Sequence, residues 1–213
     1  MPNRPLADDT LYMSPEYNPH SLERDWGFFV RAQRKFVFES ISSGLADLRV
    51  ALCNVNDPEK PPHEPKPARV TTDALTENRE QLCDEVGLDV LSLALLADVP
   101  LHRPLHLTHN SLIGHWRWLR TVWRFSAELP ALRTGRSGAT PDPAIFSLLT
   151  DGKNNLAVAA LREKFKQLEQ KGLDPQSYLS FLGSLTLFCP FIATELLWRQ
   201  GLIKASKTEG TFT

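Results

Sequence analysis

Cysteine is scarce in this 213-residue chain. Only Cys53, Cys83 and Cys189 occur, and no two of them form a CxxC pair. That excludes a disulfide framework and gives no support to a zinc ribbon. A net charge of one sign is missing as well: 24 lysines and arginines stand against 25 aspartates and glutamates, for a formal charge of −1. The motifs of catalysis are also absent. There is no GxSxG elbow, no P-loop pattern of glycines and lysine, and no cysteine in an activated setting, so no enzyme is expected. No cofactor is expected either. The opening MPNRPLADDT contains no apolar signal core, which places the chain by expectation in the cytoplasm. A long uninterrupted apolar span is lacking too. Ser177 to Thr194 carries no charge over 18 residues, at the low edge for a membrane helix, but Pro190 interrupts it. Two buried helices meeting at Pro190 are expected instead, and no membrane.

What remains is ordinary soluble composition, 42% hydrophobic and 23% charged, in a chain long enough for a sizeable core. Residues 1–55 read as a polar lead-in followed by a helical arm, with Ser21 as its N-cap. Trp26, Phe29, Val30, Val37, Ile41, Leu45, Leu48 and Leu52 fall three and four apart along it, with a bend near Gly44. The stretch NDPEKPPHEPKP within 56–67 is a linker, because five prolines in twelve residues preclude a helix interior. The main helical domain spans 68–204 and a disordered tail 205–213. Within the domain Arg69–Asp73 has strand character. A helix follows that Gly87 interrupts, and another opens at Asn110 and runs to about Leu129. Further helices are expected at 153–171, Pro175–Phe188 (capped by Asp174) and Phe191–Lys204.

Charge is not spread evenly along this domain. Between Val99 and Thr140 lie six arginines, three tryptophans and four histidines against one acid, Glu128, a local charge of +5. Between Asp73 and Asp98 seven acids face a single arginine, Arg79. A concentrated basic and aromatic stretch inside a balanced protein suggests a surface that meets phosphate. Arg117, Arg120 and Arg124 recur at i, i+3 and i+7 and so share one helix face. Trp116 and Trp123 sit on another face, where they would anchor the helix. Arginine suits a phosphate contact because its planar fork matches the oxygens and keeps its charge. Arg69, Arg103, Arg117, Arg120, Arg124, Arg133 and Arg136 are the candidate DNA contacts. The competing reading is that these arginines are paired inside the protein with the acidic stretch 73–98.

His102, His106, His109 and His115 invite a metal reading, but Pro104 breaks the helical spacing and no nearby carboxylate or cysteine completes a shell, so no metal is expected. A short strand followed by two helices also fits a ribbon-helix-helix plan. Two chains would then pair their strands and lay the ribbon in the major groove, with Arg69 and Thr71 toward the bases.

Three stretches carry a resemblance: LLAD at Leu95–Asp98, HNSLIG at His109–Gly114, and RSGATPD at Arg136–Asp142 followed by Asn154-Asn155. Their order and spacing resemble a family of proteins of integrating conjugative elements and conjugative plasmids, related to the AcaB-like transcriptional regulators. The resemblance covers about 68–180. It implies a DNA-binding activator of transfer genes with a ribbon-helix-helix-like unit, and it assigns no individual DNA contact. The expected fold is therefore mainly α, with a long N-terminal helical arm and a short strand paired on dimerisation. The expected partners are double-stranded DNA and a second copy of the chain. A non-enzymatic protein-interaction component of a conjugation or secretion assembly is the alternative.

Overall fold

Nine consecutive residues, LDVLSLALL, are buried on every side, and the rest of the molecule is built around them. A helix that is apolar all round belongs in the interior. In the computed structural model, which describes residues 16–54, 68–73, 79–129, 138–171 and 174–203, this segment is one of ten helices. In chain order they are α1 (Pro19–Gln33), α2 (Lys35–Ile41), α3 (Leu45–Cys53), α4 (Arg79–Val86), α5 (Leu88–Leu96), α6 (His109–Ala127), α7 (Pro143–Thr150), α8 (Asn154–Lys171), α9 (Pro175–Leu185) and α10 (Pro190–Arg199). Two three-residue strands, β1 (Val70–Thr72) and β2 (Leu105–Leu107), complete the described fold. The mainly α expectation with a short β element holds. The lead-in up to residue 15, the proline-rich linker, the tail 205–213, Arg133 and Arg136 lie outside the described residues.

The expected N-terminal arm is instead three helices packed onto the body. One buried cluster contains Trp26, Val30, Leu48 and Leu52 together with Leu91, Leu119, Phe181 and Leu196. Moreover, α1 and α3 supply the charges that cap α5 at its two ends. A carboxylate oxygen of Glu23 accepts from the Leu88 backbone N–H at the N-terminus. At the other end Arg49, buried on α3, donates to the carbonyls of Leu95 (2.8 Å), Val99 (2.7 Å), Pro100 (3.0 Å), Leu101 (3.4 Å) and Arg103 (2.8 Å). A carboxylate at the positive end of the helix dipole and a guanidinium at the negative end are both favourable. An arm cannot be detached from a helix that it caps twice.

The strand expected at 69–73 forms, but its partner corrects the ribbon-helix-helix expectation. Val70, Thr71 and Thr72 pair with Leu105, His106 and Leu107 of the same chain, and in parallel. Leu105 and Leu107 are buried while His106 points outward, so the pattern of β2 fixes which face meets the core.

Local signals explain most boundaries. Asn18, not Ser21, caps α1, its side-chain oxygen accepting from His20 and Ser21 N–H. Pro19 takes the first helical position, where its missing N–H costs nothing. Asp174 caps α9, and Pro190 opens α10 directly after Cys189, as expected. Among the described residues no helix is long and apolar enough to cross a membrane. Gly87 separates α4 from α5 with φ at 83°, and a Cβ there would lie 2.7 Å from the Pro19 Cβ. Gly183 on α9 lets the backbone of 140–141 lie against the helix: an added Cβ would stand 2.6 Å from the Thr140 carbonyl carbon and 2.8 Å from the Pro141 nitrogen. Gly183→Ala is therefore expected to cost about 1–3 kcal/mol, because backbone must move to admit the methyl. A shift of the denaturation midpoint measures it.

The acidic stretch also supplies a core residue. Asp89 is fully buried on α5, and its carboxyl accepts from Phe191 N (3.2 Å) and Ile192 N (2.8 Å), capping α10. Burial pushes its pKa up to about 8, against the opposing pull of those two N–H groups and of Arg34. His115 is driven the other way, down to about 4, by burial and by the Arg162 guanidinium. The pH consequence has a definite sign. Folded Asp89 holds a proton that the unfolded chain has released, so stability falls as pH rises toward 8. His115 opposes this only below its ordinary value of 6.5, where the unfolded chain gains the proton that the folded one refuses. Between 6.5 and 8 Asp89 acts without that opposition. Denaturant titrations should show stability declining over this interval, and Asp89→Asn should flatten the decline.

Candidate nucleic-acid interface

Helix α6 is capped by Thr108, whose hydroxyl oxygen accepts from Ser111 N at 3.2 Å, two residues earlier than a cap at Asn110 would place it. Both are good cap residues, but only Thr108 has the extended backbone that the position needs. Leu112, His115, Leu119, Val122, Trp123 and Ser126 form the buried face. Trp123 packs beside Tyr17 with ring centroids 6.2 Å apart, and Arg199 lies over its ring at 5.9 Å. On the other flank, Trp118 and Phe125 meet Phe165 of α8 edge to face at 5.9 and 5.4 Å. Aromatic contacts on both flanks fix the rotation of the helix about its own axis.

That rotation turns one stripe outward. Arg117 and Arg124 are exposed, and Arg120 is half-buried at the margin with its guanidinium 5.4 Å from the Trp116 ring. Seven residues of helix separate Arg117 from Arg124, about 10 Å along the axis. Among the described residues no carboxylate lies within ion-pair distance of any of the three. Five of the seven acids of that stretch have described side chains. Asp89 is inside the core, Asp73 holds His106 at 2.7 Å, and Asp84, Glu85 and Asp98 are exposed. Internal pairing with these five acids therefore does not account for the arginines of α6, among the described residues.

The other candidates fall in a second group. Arg69 and Arg103 are exposed at the start of the strand pair, where the Arg69 carbonyl accepts from Leu105 N at 3.0 Å and the Arg103 carbonyl is held by Arg49. The histidines separate. His115 is buried and receives an N–H from Arg162 on its Nδ1 at 2.7 Å, whereas His102, His106 and His109 are exposed. His106 bridges the two strands, with Thr71 Oγ1 2.9 Å from Nδ1 and Asp73 Oδ1 2.7 Å from Nε2. Among the described residues no group of three or more His, Cys, Asp or Glu is arranged to hold a metal ion.

The stretches behind the family resemblance carry structural roles in this fold. Asn154 donates through Nδ2 to the carbonyls of Leu96 (2.6 Å) and Val99 (2.9 Å), joining the paired asparagines to LLAD. Asp142 caps α7, accepting from Ala144 N at 2.9 Å, and binds Lys164 at 2.7 Å. No known protein-family model matches the chain, and no curated protein does.

Proposed function

We propose that this protein binds double-stranded DNA through the outer face of α6, as a non-enzymatic regulator in the manner of the mobile-element activators it resembles. The observation that carries the reading is the row Arg117, Arg120 and Arg124, held on a rotationally fixed helix with no carboxylate counter-ion among the described residues. Uncompensated guanidinium groups on a rigid element match a row of phosphates at little cost in ordering. Arg69 and Arg103 form a second cationic point at the strand pair. Contacts of this kind position a protein on the duplex, while sequence preference needs groups that reach base edges.

The test is a fluorescence-anisotropy titration of the full chain with a labelled mixed-sequence duplex at low salt. Saturable binding at micromolar protein or tighter is expected. A stable protein complex isolated with no affinity for any duplex would favour the interaction-component reading instead.

A further inference from the structure

A cleft of about 350 Å³ opens between the start of α1, the end of α4 and the start of α6. Its floor is apolar, made by Val90, Leu112, Ile113 and one side of Trp116. Its rim carries Glu16 and Glu85 together with His20 and His109, and among the described residues no lysine or arginine lines it. Glu23 and Asp84 act on the same neighbourhood, because Glu23 senses both His20 and Asp84. Tyr17 closes the wall beside Trp116, ring centroids 6.4 Å apart, and its buried hydroxyl has no hydrogen-bond partner among the described residues.

We infer that this cleft binds a small organic cation, an ammonium carried on a compact aromatic body. An apolar floor of this size with a few polar groups at the mouth is the usual form of a small-molecule site. The sign of the ligand follows from the rim, where the formally charged side chains are both carboxylates. The indole of Trp116 adds an electron-rich face suited to a cation, and it already holds the Arg120 guanidinium at 5.4 Å. That shared ring gives an occupant a route to the arginine row, since displacing Trp116 displaces Arg120. The regulatory consequence rests on the DNA reading, while the binding itself does not.

The experiment is titration calorimetry on the full chain without DNA, using 2-naphthylmethylammonium, 2-naphthylmethanol and 2-naphthoate as probes of one shape and three charges. The ammonium should saturate one site and bind about tenfold more tightly than the alcohol, with the carboxylate weakest, as expected for two nearby carboxylates in a partly solvated mouth. In the double variant Glu16→Gln with Glu85→Gln the ammonium should fall to the affinity of the alcohol, which itself should not change. Ile113→Trp should abolish all three by filling the floor. If that variant fails to fold, the glutamine pair, both at exposed positions, still decides the matter. Equal affinity for the three probes, an ammonium preference that survives in the glutamine variant, or no saturable binding would each overturn the inference. Because DNA is absent throughout, failure here leaves the α6 reading standing, and failure of that reading leaves the cleft.

Discussion

Arg49→Ala should lower the unfolding free energy by about 3–5 kcal/mol, enough to threaten folding of a typical domain. The reason is the number of acceptors that one side chain serves. Its guanidinium satisfies the carbonyls of Leu95, Val99, Pro100, Leu101 and Arg103, and no other side chain on α3 reaches that loop with donors in a planar fork. Val99 keeps the Asn154 amide and Pro100 keeps the Arg103 N–H, but truncation takes the guanidinium donors from the carbonyls of Leu95, Leu101 and Arg103, each loss costing on the order of 1–3 kcal/mol before water enters. The charge also leaves the C-terminal end of α5, where the helix dipole favours it. Arg49→Lys should recover only part of the loss, since an ammonium offers three donors around a point and cannot span five acceptors. Chemical denaturation followed by circular dichroism measures both variants. A loss below about 1 kcal/mol in Arg49→Ala would show that the loop 97–104 does not depend on that guanidinium.

The second large effect concerns binding. Replacing Arg117, Arg120 and Arg124 together by glutamine should weaken DNA binding equally for every sequence and flatten its salt dependence. Each phosphate contact releases counterions and contributes about 0.9 to the slope of log K against log salt, so three contacts account for a change of about 3. Lysine at the same three positions should keep most of the slope, because the electrostatic contribution needs only the charge. The fold should tolerate the glutamines. Arg117 and Arg124 are exposed, and Arg120 gives up only its stacking on Trp116, about 0.5–1 kcal/mol.

Helix existence was largely readable from residue pattern, whereas the packing of charged residues was not. Asp174 before Pro175, the break at Pro190 and the break at Gly87 each follow from local chemistry, and each stands where expected. Helix α7 went unforeseen, because its eight residues follow directly on a loop and hold too few turns for a period to show. The caps of α1 and α6 were displaced because Asn18 and Ser21, or Thr108 and Asn110, are equally good side chains. Only the backbone conformation selects between them. The strand pairing was misread for a different reason: Val70–Thr72 states a strand but not its partner, and Leu105–Leu107 is too short to announce itself.

The candidate interface was legible in its spacing and not in its surroundings. Arg117, Arg120 and Arg124 share a face by helical geometry alone. Whether the acids of 73–98 neutralise them depends on where those acids point, and a charge sum treats Asp89 like Asp84. In the fold Asp89 is buried at the N-terminus of α10 while Asp84 faces solvent. Arg49 illustrates the same limit, since no pattern in LADLRVALC distinguishes a buried arginine from a surface one. The cleft was invisible for a simpler reason: its rim brings Glu16 together with Glu85 and His109 across long stretches of chain.

The central claim is that the outer face of α6 contacts phosphate. Its most direct test is a salt series of duplex affinity for the native chain and the triple glutamine variant, compared by slope. A steep negative slope in the native chain, reduced by about 3 in the variant, is the predicted result. Two slopes that coincide, with native-like melting of both proteins, would contradict the claim and remove α6 from the interface.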